Sequence, residues 1–449
     1  MFLFGLTILV LVAGGLTKEP SWPTSICTTL EATLTESSEG YLPESAESQP
    51  DTQRIQDALT HCGAGNALKL VKGSGNAFLS GPLKLPTGVT LWIDGGVTLF
   101  ASRNPRDFDK SLNKCGVLAT HSTGCLPLIT VKSTKNSAIV GEGTIDGRGG
   151  QKMIGQTDTW WELALKAKSL NKKQTCPRLI LVGNSENFTL YKIRLHNSPN
   201  FHVVATKVDG LTVWGVVVDT PSRAYPAGTH ARNTDAFDPN GQNIYFNNVY
   251  INTGDDNIAI KGGKSKVQNV LIENCHFYNG HGMSIGSETN DGVQNVTVKN
   301  LSIDGADNGI RIKSDLSCGG LVSDVHYENV CIRNVGCPLT FDAFYSNKKG
   351  SKIPNFQNIN LSNVRIVSSV KNNAFFRGHD ASHPLKISLN NVVSDVELSN
   401  ITASNAEITL QGCSNIPVSS SSENNVKVSD GGGQTHAIDC SKMFPDFPR

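Results

Sequence analysis

Four short segments place ionisable residues beside glycine or asparagine and interrupt an otherwise alternating apolar and polar sequence. They are Asn233-Thr234-Asp235, Gly254-Asp255-Asp256, Gly280-His281-Gly282 and Arg311-Ile312-Lys313. Together they offer three carboxylates, one imidazole and two cations, which suit acid/base cleavage of a bond next to an anionic group. In such a reaction one carboxyl must be protonated to donate to the leaving oxygen, while another is ionised to activate water.

The spacing of these segments follows a repeat in the second half of the chain. An asparagine followed by an alternating aliphatic run recurs every 26 residues, at Asn243, Asn269 and Asn295. The apolar runs are strand-length and leave no room for an ordinary helix, which is typical of a solenoid. We predict an all-β fold, a single-stranded right-handed parallel β-helix with asparagines stacked at its turns. A β-propeller would need a longer, four-stranded repeat.

Stacking of successive coils would bring the four segments together. The intervals are 20 residues from 235 to 255, 25 from 256 to 281 and 30 from 281 to 311, each close to one coil. Residues one coil apart lie roughly 4.8 Å from each other, so the segments are expected to form a stripe about 15 Å long on one outer face. Neighbouring strand residues point to opposite faces, so Asp255 and Asp256 reach one groove only through a bend at Gly254.

Arg311 and Lys313 decide between two kinds of acidic site. Clustered carboxylates also coordinate Ca²⁺, but alternate residues of a strand share a face, so both cations would point into the groove and repel a metal ion. They suit an anionic substrate, with Arg311 as a bidentate carboxylate partner and Lys313 as a point charge. We therefore predict hydrolysis of a glycosidic bond in an acidic polysaccharide, with no metal and no cofactor. Taken singly, Asp255-Asp256 is typical of a solvated turn, Gly280-His281-Gly282 of a turn with an exposed histidine, and Arg311-Ile312-Lys313 of a charged strand face.

The overall composition excludes several other classes of protein. The chain has 449 residues, 40 Lys and Arg against 39 Asp and Glu, and 38% hydrophobic residues. A net charge of +1 argues against nucleic-acid binding, and the hydrophobic content is sufficient for a long core. The length alone corresponds to about three domains, but the repeat favours a single domain over residues 18–449.

The N-terminal segment is the one targeting candidate. Residues 2–12 are almost entirely apolar and the small residues Ala13-Gly14-Gly15 follow. This run is too short to span a bilayer and is typical of a secretory signal, which we place at residues 1–17. A buried N-terminal strand is the alternative. We expect a secreted, extracellular protein without a membrane anchor.

Eleven cysteines without metal-ligand spacing also favour secretion. Cys27 with Cys62, or Cys115 with Cys125, are candidate disulfides, and the odd total leaves at least one thiol unpaired. Five glycosylation sequons are compatible with secretion, although an asparagine-rich repeat creates them by chance: Asn187, Asn295, Asn300, Asn360 and Asn400.

Two helices are expected, both before the repeat. Asp51 and Thr52 precede apolar residues at helical spacing (Ile55, Ala58, Leu59 and Cys62), which indicates a short N-terminal helix that caps the solenoid. A second helix is predicted over residues 160–168, with Trp161, Leu165 and Lys168 on one face. The serine-rich and glycine-rich stretches near residues 419–433 indicate a loose C-terminal end.

The four segments, in this order and spacing, resemble the polygalacturonases of glycoside hydrolase family 28. The match includes the longer motif Gly280-His281-Gly282-Met283-Ser284-Ile285-Gly286-Ser287 and extends from Cys27 to about residue 395. It is most similar to the secreted bacterial endo-polygalacturonases, as in the segments Ser198–Val204 and Asp256–Lys261. Ala236 stands where the family usually has glycine, and Asn257 stands where plant and fungal members have cysteine.

The resemblance implies a pectin-lyase-like β-helix that hydrolyses α-1,4 bonds between galacturonate units with inversion and without a metal. It implies that Asp255 is the general acid, that Asp235 and Asp256 hold and activate water, and that His281 maintains the protonation of the acid. It also assigns substrate contacts to four further residues: Asn233, Arg311, Lys313 and Tyr345. The expected partner is polygalacturonate or pectin, and the expected state is a monomer.

Three alternatives stay open at this stage. Endo action is expected because the roughly 160 residues before the repeat contain no obvious extra domain, but exo action remains an alternative. A Ca²⁺-dependent pectate lyase on the same fold is the second. A non-catalytic β-helix that binds cell-wall pectin is the third.

Overall fold

Three parallel β-sheets run along the molecule because most coils of the chain contribute a strand to each of them. The computed structural model describes residues 18–346 and 348–449. Strands of successive coils pair in parallel and nearly in register, which confirms the predicted right-handed parallel β-helix. The proposed signal segment, residues 1–17, lies outside the described residues.

We name the sheet that carries the catalytic candidates the floor sheet. Its strands, in stacking order, are Leu83–Lys84, Ile129–Lys132, Ile180–Gly183, the first parts of Val203–Trp214 and Phe237–Asn247, Ile258–Ile260, Met283–Gly286, Asn308–Lys313, Cys337–Asp342, Asn373–Arg377 and Asn400–Ser404.

The second and third sheets complete each coil. The second contains Ile26–Glu31, Ala67–Val71, Thr90–Ile93, Ala138–Val140, Glu186–Tyr191, the ends of Val203–Trp214 and Phe237–Asn247, the first parts of Val267–Tyr278, Val293–Asp304, Leu321–Arg333, Asn355–Ile366 and Leu385–Ser394, then Ala406–Gln411 and Val426–Asp430. The third contains Ala77–Ser80, Thr98–Ala101, Thr144–Asp146, Arg194–His196, Val217–Asp219 and Tyr250–Asn252. It also contains the ends of the five long strands whose first parts lie in the second sheet, from Val267–Tyr278 to Leu385–Ser394. Leu118–Ala119 and Lys173–Gln174 form a separate antiparallel pair.

The 26-residue repeat sets both the core and the turns. Buried aliphatic side chains stack in columns, for example Val270 beside Val296, and form one continuous core. At the turns, Asn243, Asn269 and Asn295 have φ of 56°, 59° and 55°, a left-handed conformation that asparagine tolerates. Asn269 Nδ2 donates to Asn243 Oδ1 at 3.2 Å, and Asn295 Nδ2 donates to Asn269 Oδ1 at 2.8 Å. The predicted asparagine stacking is confirmed.

Both predicted helices are present. The first spans Thr52–His61 and packs Ile55 and Leu59 into the core. Asp51 is the N-cap residue of this helix, but its carboxylate accepts from Leu79 N–H and from Arg54 instead of from the helix N-terminus. Neither this helix nor the second, among the described residues, has the length and apolarity needed to cross a membrane.

The second helix spans Trp160–Ser169, one residue longer than predicted, but its predicted face is wrong. Its buried residues are Trp160, Trp161, Leu163, Ala164 and Ala167, while Leu165 is exposed. The helix begins with a capping box, in which Thr159 Oγ1 accepts from Glu162 N–H and Glu162 accepts from Thr159 N–H. Trp161 Nε1 donates to Ser198 O at 2.9 Å, so the side of the helix that carries Trp161 packs against the β-helix coils.

Part of the stretch that was expected to be loose, Val426–Asp430, pairs with the strand Ala406–Gln411, and the segment after residue 433 is docked along the third sheet. Tyr278 OH donates to Pro445 O, and Arg194 Nη1 donates to Pro448 O. A disulfide joins Cys331 to Cys440, in addition to the two pairs considered from the sequence, Cys27–Cys62 and Cys115–Cys125, which are both formed. The remaining cysteines are unpaired: Cys176, Cys275, Cys318, Cys337 and Cys413.

We expect Cys440→Ser to lower the free energy of unfolding by about 2–4 kcal/mol, because the disulfide closes a long loop and restricts the unfolded chain. The measurement is the denaturant midpoint, together with proteolysis of the C-terminal segment. Cys413→Ser is the control, since Cys413 is unpaired, and its effect should stay within about 1 kcal/mol. Equal midpoints for Cys440→Ser and the unmodified protein would show that the docked segment does not need the disulfide.

Candidate active site

The catalytic candidates lie where the chain enters the floor sheet. Ala236 N–H donates to Asp256 O at 2.9 Å, and His281 N–H donates to Asp255 O at 2.9 Å. These backbone bonds place Asp235, Asp256 and His281 above one another on successive coils, as the repeat predicted. The structure thus brings these three side chains to one edge of the floor.

Asp255 and Asp256 diverge from a tight bend at Gly254. A Cβ at residue 254 would lie 2.2 Å from Ala231 O, so only glycine fits there. Asp255 Oδ1 accepts from His281 Nδ1 at 3.0 Å, and its Oδ2 accepts from Asn233 N–H at 3.2 Å. The predicted bend is confirmed, and the backbone of Asn233, more than its side chain, orients this carboxylate.

Asp256 lies beneath this pair and binds both cations of the Arg311-Ile312-Lys313 segment. It is buried, and it accepts hydrogen bonds from Arg311 Nη2, from Lys313 Nζ at 2.8 Å and from Ser284 Oγ at 3.0 Å. Burial alone would raise its pKa, but the two cations hold that pKa far below its ordinary value. Asp256 therefore stays ionised.

The register of Arg311 differs from the sequence prediction. Arg311 pairs with Ser284 in the floor sheet and not with His281, so it reaches Asp256 across Ser284, to which its Nε donates at 3.0 Å. Arg311 and Lys313 are each about 5% exposed. In this conformation the two cations are mainly engaged with Asp256, and only their outer edges face the groove.

Asp235 is the carboxyl that its surroundings shift most toward the protonated form. It is buried, and its Oδ1 has no hydrogen-bond partner among the described residues. Burial and the charges of Asp255, Asp238 and Asp256 raise its pKa well above the ordinary value. In the substrate-free protein the neighbouring carboxylates thus help to raise the pKa of Asp235, whereas the pKa of the expected acid, Asp255, is lowered.

Asp255 and His281 form a hydrogen-bonded pair in which each charged form stabilises the other. Burial would raise the pKa of Asp255, but the hydrogen bond and positive charge of His281 lower it overall. Burial would lower the pKa of His281, but Asp255 and Asp256 raise it overall. On its other side, His281 Nε2 lies 3.3 Å from Asp307 Oδ2. The free protein therefore holds an imidazolium beside an ionised Asp255.

Asp238 and Lys261 also belong to this site, although neither was among the residues predicted from the sequence. Burial raises the pKa of Asp238 to about 6, and Lys261 Nζ lies 3.8 Å from its carboxylate. Lys261 Nζ also donates to Gly286 O at 3.1 Å. The signal was available, because Asp238 follows Asp235 by three residues and lies at the start of the floor-sheet strand Phe237–Asn247.

The outer contacts complete the site. Tyr345 is 46% exposed, and its ring centroid lies 5.0 Å from Lys313 Nζ and 6.0 Å from the Arg311 guanidinium. Gln174 Nε2 donates to Asn233 Oδ1 at 3.0 Å. Each residue predicted from the sequence is therefore at the groove: Asn233, Asp235, Asp255, Asp256, His281, Arg311, Lys313 and Tyr345.

A cation would fit poorly among these groups. One ligand atom each from Asp255, Asp256 and His281 lies within 4.8 Å of the others. Both oxygens of Asp256 already bind Arg311 and Lys313, and these cations would repel a metal ion. The donor set is thus better matched to proton transfer than to Ca²⁺, which needs six to eight oxygen ligands.

A second groove adjoins the site on the third-sheet side. It encloses about 1100 Å³ and is bounded by the segment 221–230, by Gly254 and His281, and by Arg449 of the docked C-terminus.

A family model and two sequence relatives all place this chain in one family. The family model described as "Glycosyl hydrolases family 28" matches residues 62–422. A polygalacturonase of Ralstonia solanacearum is 44% identical over 96% of this chain and 92% of the relative. An endo-polygalacturonase of Pectobacterium carotovorum subsp. carotovorum is 45% identical over 84% of this chain and 88% of the relative.

Solved structures agree with the fold. The polygalacturonase from Erwinia carotovora ssp. carotovora superposes with a TM-score of 0.72 at 39% identity, covering 94% of this chain and 98% of that one. An exopolygalacturonase from Thermotoga maritima superposes with a TM-score of 0.69 at 16% identity, covering 94% and 96%. At that identity the second match supports the β-helix fold alone.

Proposed function

The chain belongs to family 28 of the glycosyl hydrolases, and from this membership we propose that it hydrolyses α-1,4 bonds between galacturonate units of polygalacturonate, acting inside the chain. The observation that carries the proposal is the pairing of Asp255 with His281 above an ionised Asp256 that is bound to Arg311 and Lys313. Proton-donating and charge-holding carboxylates thus lie beside cations that match an anionic sugar.

We propose that Asp255 protonates the leaving oxygen. Substrate carboxylates entering the groove add negative charge, which raises the pKa of Asp255 and favours its protonated form. The 3.0 Å hydrogen bond from His281 Nδ1 gives the proton a direct path to Asp255. Asp307 stabilises the imidazolium until that transfer takes place.

Water activation falls to Asp235 and Asp256 in this proposal. Asp256 keeps its negative charge and accepts a hydrogen bond from the attacking water, while Asp235 offers an oxygen without a protein partner. Water attacks the anomeric carbon as the bond from that carbon to the leaving oxygen breaks, and the water's proton passes to Asp256, the ionised carboxyl of the two, with inversion at that carbon. Tyr345, Arg311 and Lys313 would contact the substrate from the C-terminal side of the site.

Product sizing on polygalacturonate tests the endo mode. Oligomers of mixed length in the first minutes are expected, since a relative that is 45% identical is an endo-polygalacturonase. Galacturonic acid as the sole early product would establish exo action instead. Release of reducing ends without ultraviolet absorbance, in the presence of chelator, is expected for a hydrolase and would exclude a Ca²⁺-dependent lyase.

A non-catalytic pectin-binding role is tested in the same assay. If the protein binds polygalacturonate but releases no reducing ends in mildly acid buffer, the binding role replaces the hydrolase. We further propose that the protein is secreted and monomeric. Three disulfides support an oxidising compartment, and light scattering after gel filtration measures the mass of the particle.

The pH profile should report His281. Its pKa is raised above 6.5, so the favourable His281–Asp255 interaction is complete below pH 6.5 and is lost as the pH rises through the raised value. On the acid side, the pKa of Asp255 is lowered below 3.8, so its contribution is present above pH 3.8 and is lost as the pH falls through the lowered value. We expect the alkaline limb of kcat/KM to lie above pH 6.5.

His281→Asn removes this titration, so kcat/KM should fall by roughly 10²-fold or more and the remaining activity should lose that alkaline limb. His61→Ala is the control, because His61 is exposed at the end of the N-terminal helix Thr52–His61. An unchanged alkaline limb in His281→Asn would assign the limb to another group.

A further inference from the structure

The cations at the site are unevenly distributed along the groove. Arg311 and Lys313 lie on the C-terminal side of the catalytic carboxylates, and both are bonded to Asp256. The centre of the groove holds Asp235 and Asp238, which carry partnerless oxygens. A polyanion laid over these carboxyls would be repelled unless cations hold it on the N-terminal side as well.

Arg178 is placed to supply that second positive charge. Leu179 N–H donates to Phe201 O at 3.0 Å, and His202 N–H donates to Asp235 O at 2.8 Å. These bonds stack Arg178, Phe201 and Asp235 in one column at the edge of the floor sheet. Arg178 therefore begins two coils before Asp235, a separation of roughly 10 Å between backbones.

The guanidinium of Arg178 is available for a ligand. It is half-buried, and its carbon lies 5.5 Å from the centroid of the Phe201 ring. Within residues 18–346 and 348–449 none of its five N–H donors meets a hydrogen-bond acceptor or an ion-pair partner, in contrast to Arg311. Such a group is costly to leave unpaired, and the ring beneath it fixes its plane.

The electrostatic surroundings of Arg178 point toward the same groove. Burial lowers its pKa, and attraction to Asp238 and Asp235 partly offsets this effect. Its most influential charged neighbours are therefore the two carboxyls at the centre of the site. Asp238 nevertheless keeps an oxygen without a partner, so the arginine does not form a closed ion pair with it.

From this placement we propose that Arg178 binds a substrate carboxylate at a subsite on the N-terminal side of the scissile bond. The inference rests on the proposed function, since the ligand is a galacturonate unit of the same chain that Asp255 cleaves. A planar guanidinium holds a carboxylate through two parallel hydrogen bonds. Arg178 and Arg311 would then hold a long oligomer from both sides of the reacting bond.

The competing role for Arg178 is structural, namely partial neutralisation of Asp235 and Asp238. The two roles differ in how the effect depends on substrate length. A subsite remote from the reacting bond is filled only by long oligomers, whereas an altered catalytic carboxyl slows every substrate equally. A series of defined oligogalacturonates, labelled at the reducing end, separates the two roles.

Arg178→Gln should lower kcat/KM for hexagalacturonate and polygalacturonate about tenfold, the scale of a lost charge-assisted hydrogen bond. The loss should fall below about twofold for the shortest oligomer that wild type cleaves. The preferred cleavage position within hexagalacturonate should shift as well. Arg178→Lys should give a smaller loss on the long substrates alone, because the charge is kept and the bidentate geometry is lost.

Arg333→Gln is the matched control. Arg333 also lies over an aromatic ring, 4.2 Å from the centroid of Phe444, but it is bonded to Asp304 on the third sheet, away from the floor. It should change activity equally for all lengths or not at all. The melting temperature of each variant shows whether it is folded. If Arg178→Gln is not folded, Arg178→Lys replaces it in the comparison of substrate lengths.

Equal losses at every length, or no loss at any length, would overturn the subsite at Arg178. Failure of the proposed function gives a different result, because the unmodified protein would then cleave no oligomer. In that case calorimetric titration with hexagalacturonate decides: weaker binding to Arg178→Gln than to the unmodified protein supports the contact, and equal binding rejects it.

Discussion

Asp255→Asn should reduce kcat on polygalacturonate by roughly 10²–10⁴-fold, the usual contribution of a positioned general acid. Each tenfold loss corresponds to about 1.36 kcal/mol of activation free energy. An amide cannot deliver a proton to the leaving oxygen, whereas its shape and its acceptor oxygen are nearly those of the carboxylate. Asn233 N–H and His281 Nδ1 contact different oxygens of Asp255, so the single acceptor oxygen of the amide can keep one of these two contacts. The KM for polygalacturonate should still change little, because the lost proton transfer acts in the transition state.

The measurement is initial release of reducing ends together with calorimetric binding of an oligogalacturonate. Asp57→Asn is the control, since Asp57 lies exposed on the N-terminal helix, and it should retain full activity. A second readout is the titration of His281 by NMR. The loss of the Asp255 charge should lower the pKa of the imidazole, because that carboxylate is one of the groups that raise it. Activity within tenfold of wild type would remove Asp255 from the role of acid.

The repeat arithmetic explains how much of this site the sequence could predict. Constant 26-residue coils align the second-sheet strands without ambiguity, and the same stacking placed Asp235, Asp256 and His281 together. Short side chains at the edge of a floor strand have few directions available, so their meeting follows from the backbone alone. Asp255 followed from the need for a bend at Gly254.

The repeat length could not predict the direction of long side chains or the position of residues in coils of irregular length. Arg311 extends past Ser284 to Asp256, a direction set by side-chain rotamers and by the small residue between them. The coils before Asp235 vary in length, since Ile180 pairs with Val203 and Val203 pairs with Phe237. No constant period therefore connects Arg178 to the catalytic column, and its position became visible only through the backbone hydrogen bonds.

The ion-paired cluster around Asp256 has a consequence for stability as well as for catalysis. Asp256, Arg311 and Lys313 are all buried, and the two cations share one carboxylate. Asp256→Asn would leave both cations without a counter-charge in a poorly hydrated site. We expect a loss of about 3–5 kcal/mol in the free energy of unfolding, the usual cost of breaking a buried pair from one side, and loss of activity.

Two further variants show whether the loss comes from uncompensated charge. In Asp256→Asn with Lys313→Met, one excess cation is removed, so the double variant should be more stable than Asp256→Asn alone although it stays inactive. Glu186→Gln is the control for an exposed ion pair. The Glu186 carboxylate lies 2.9 Å from Lys135 Nζ, and both side chains are more than half exposed. This substitution should lower the free energy of unfolding by less than about 1 kcal/mol. Denaturant midpoints measure all four proteins. If the double variant is less stable than Asp256→Asn, packing and hydrogen bonds, rather than the balance of charge, hold this part of the floor together.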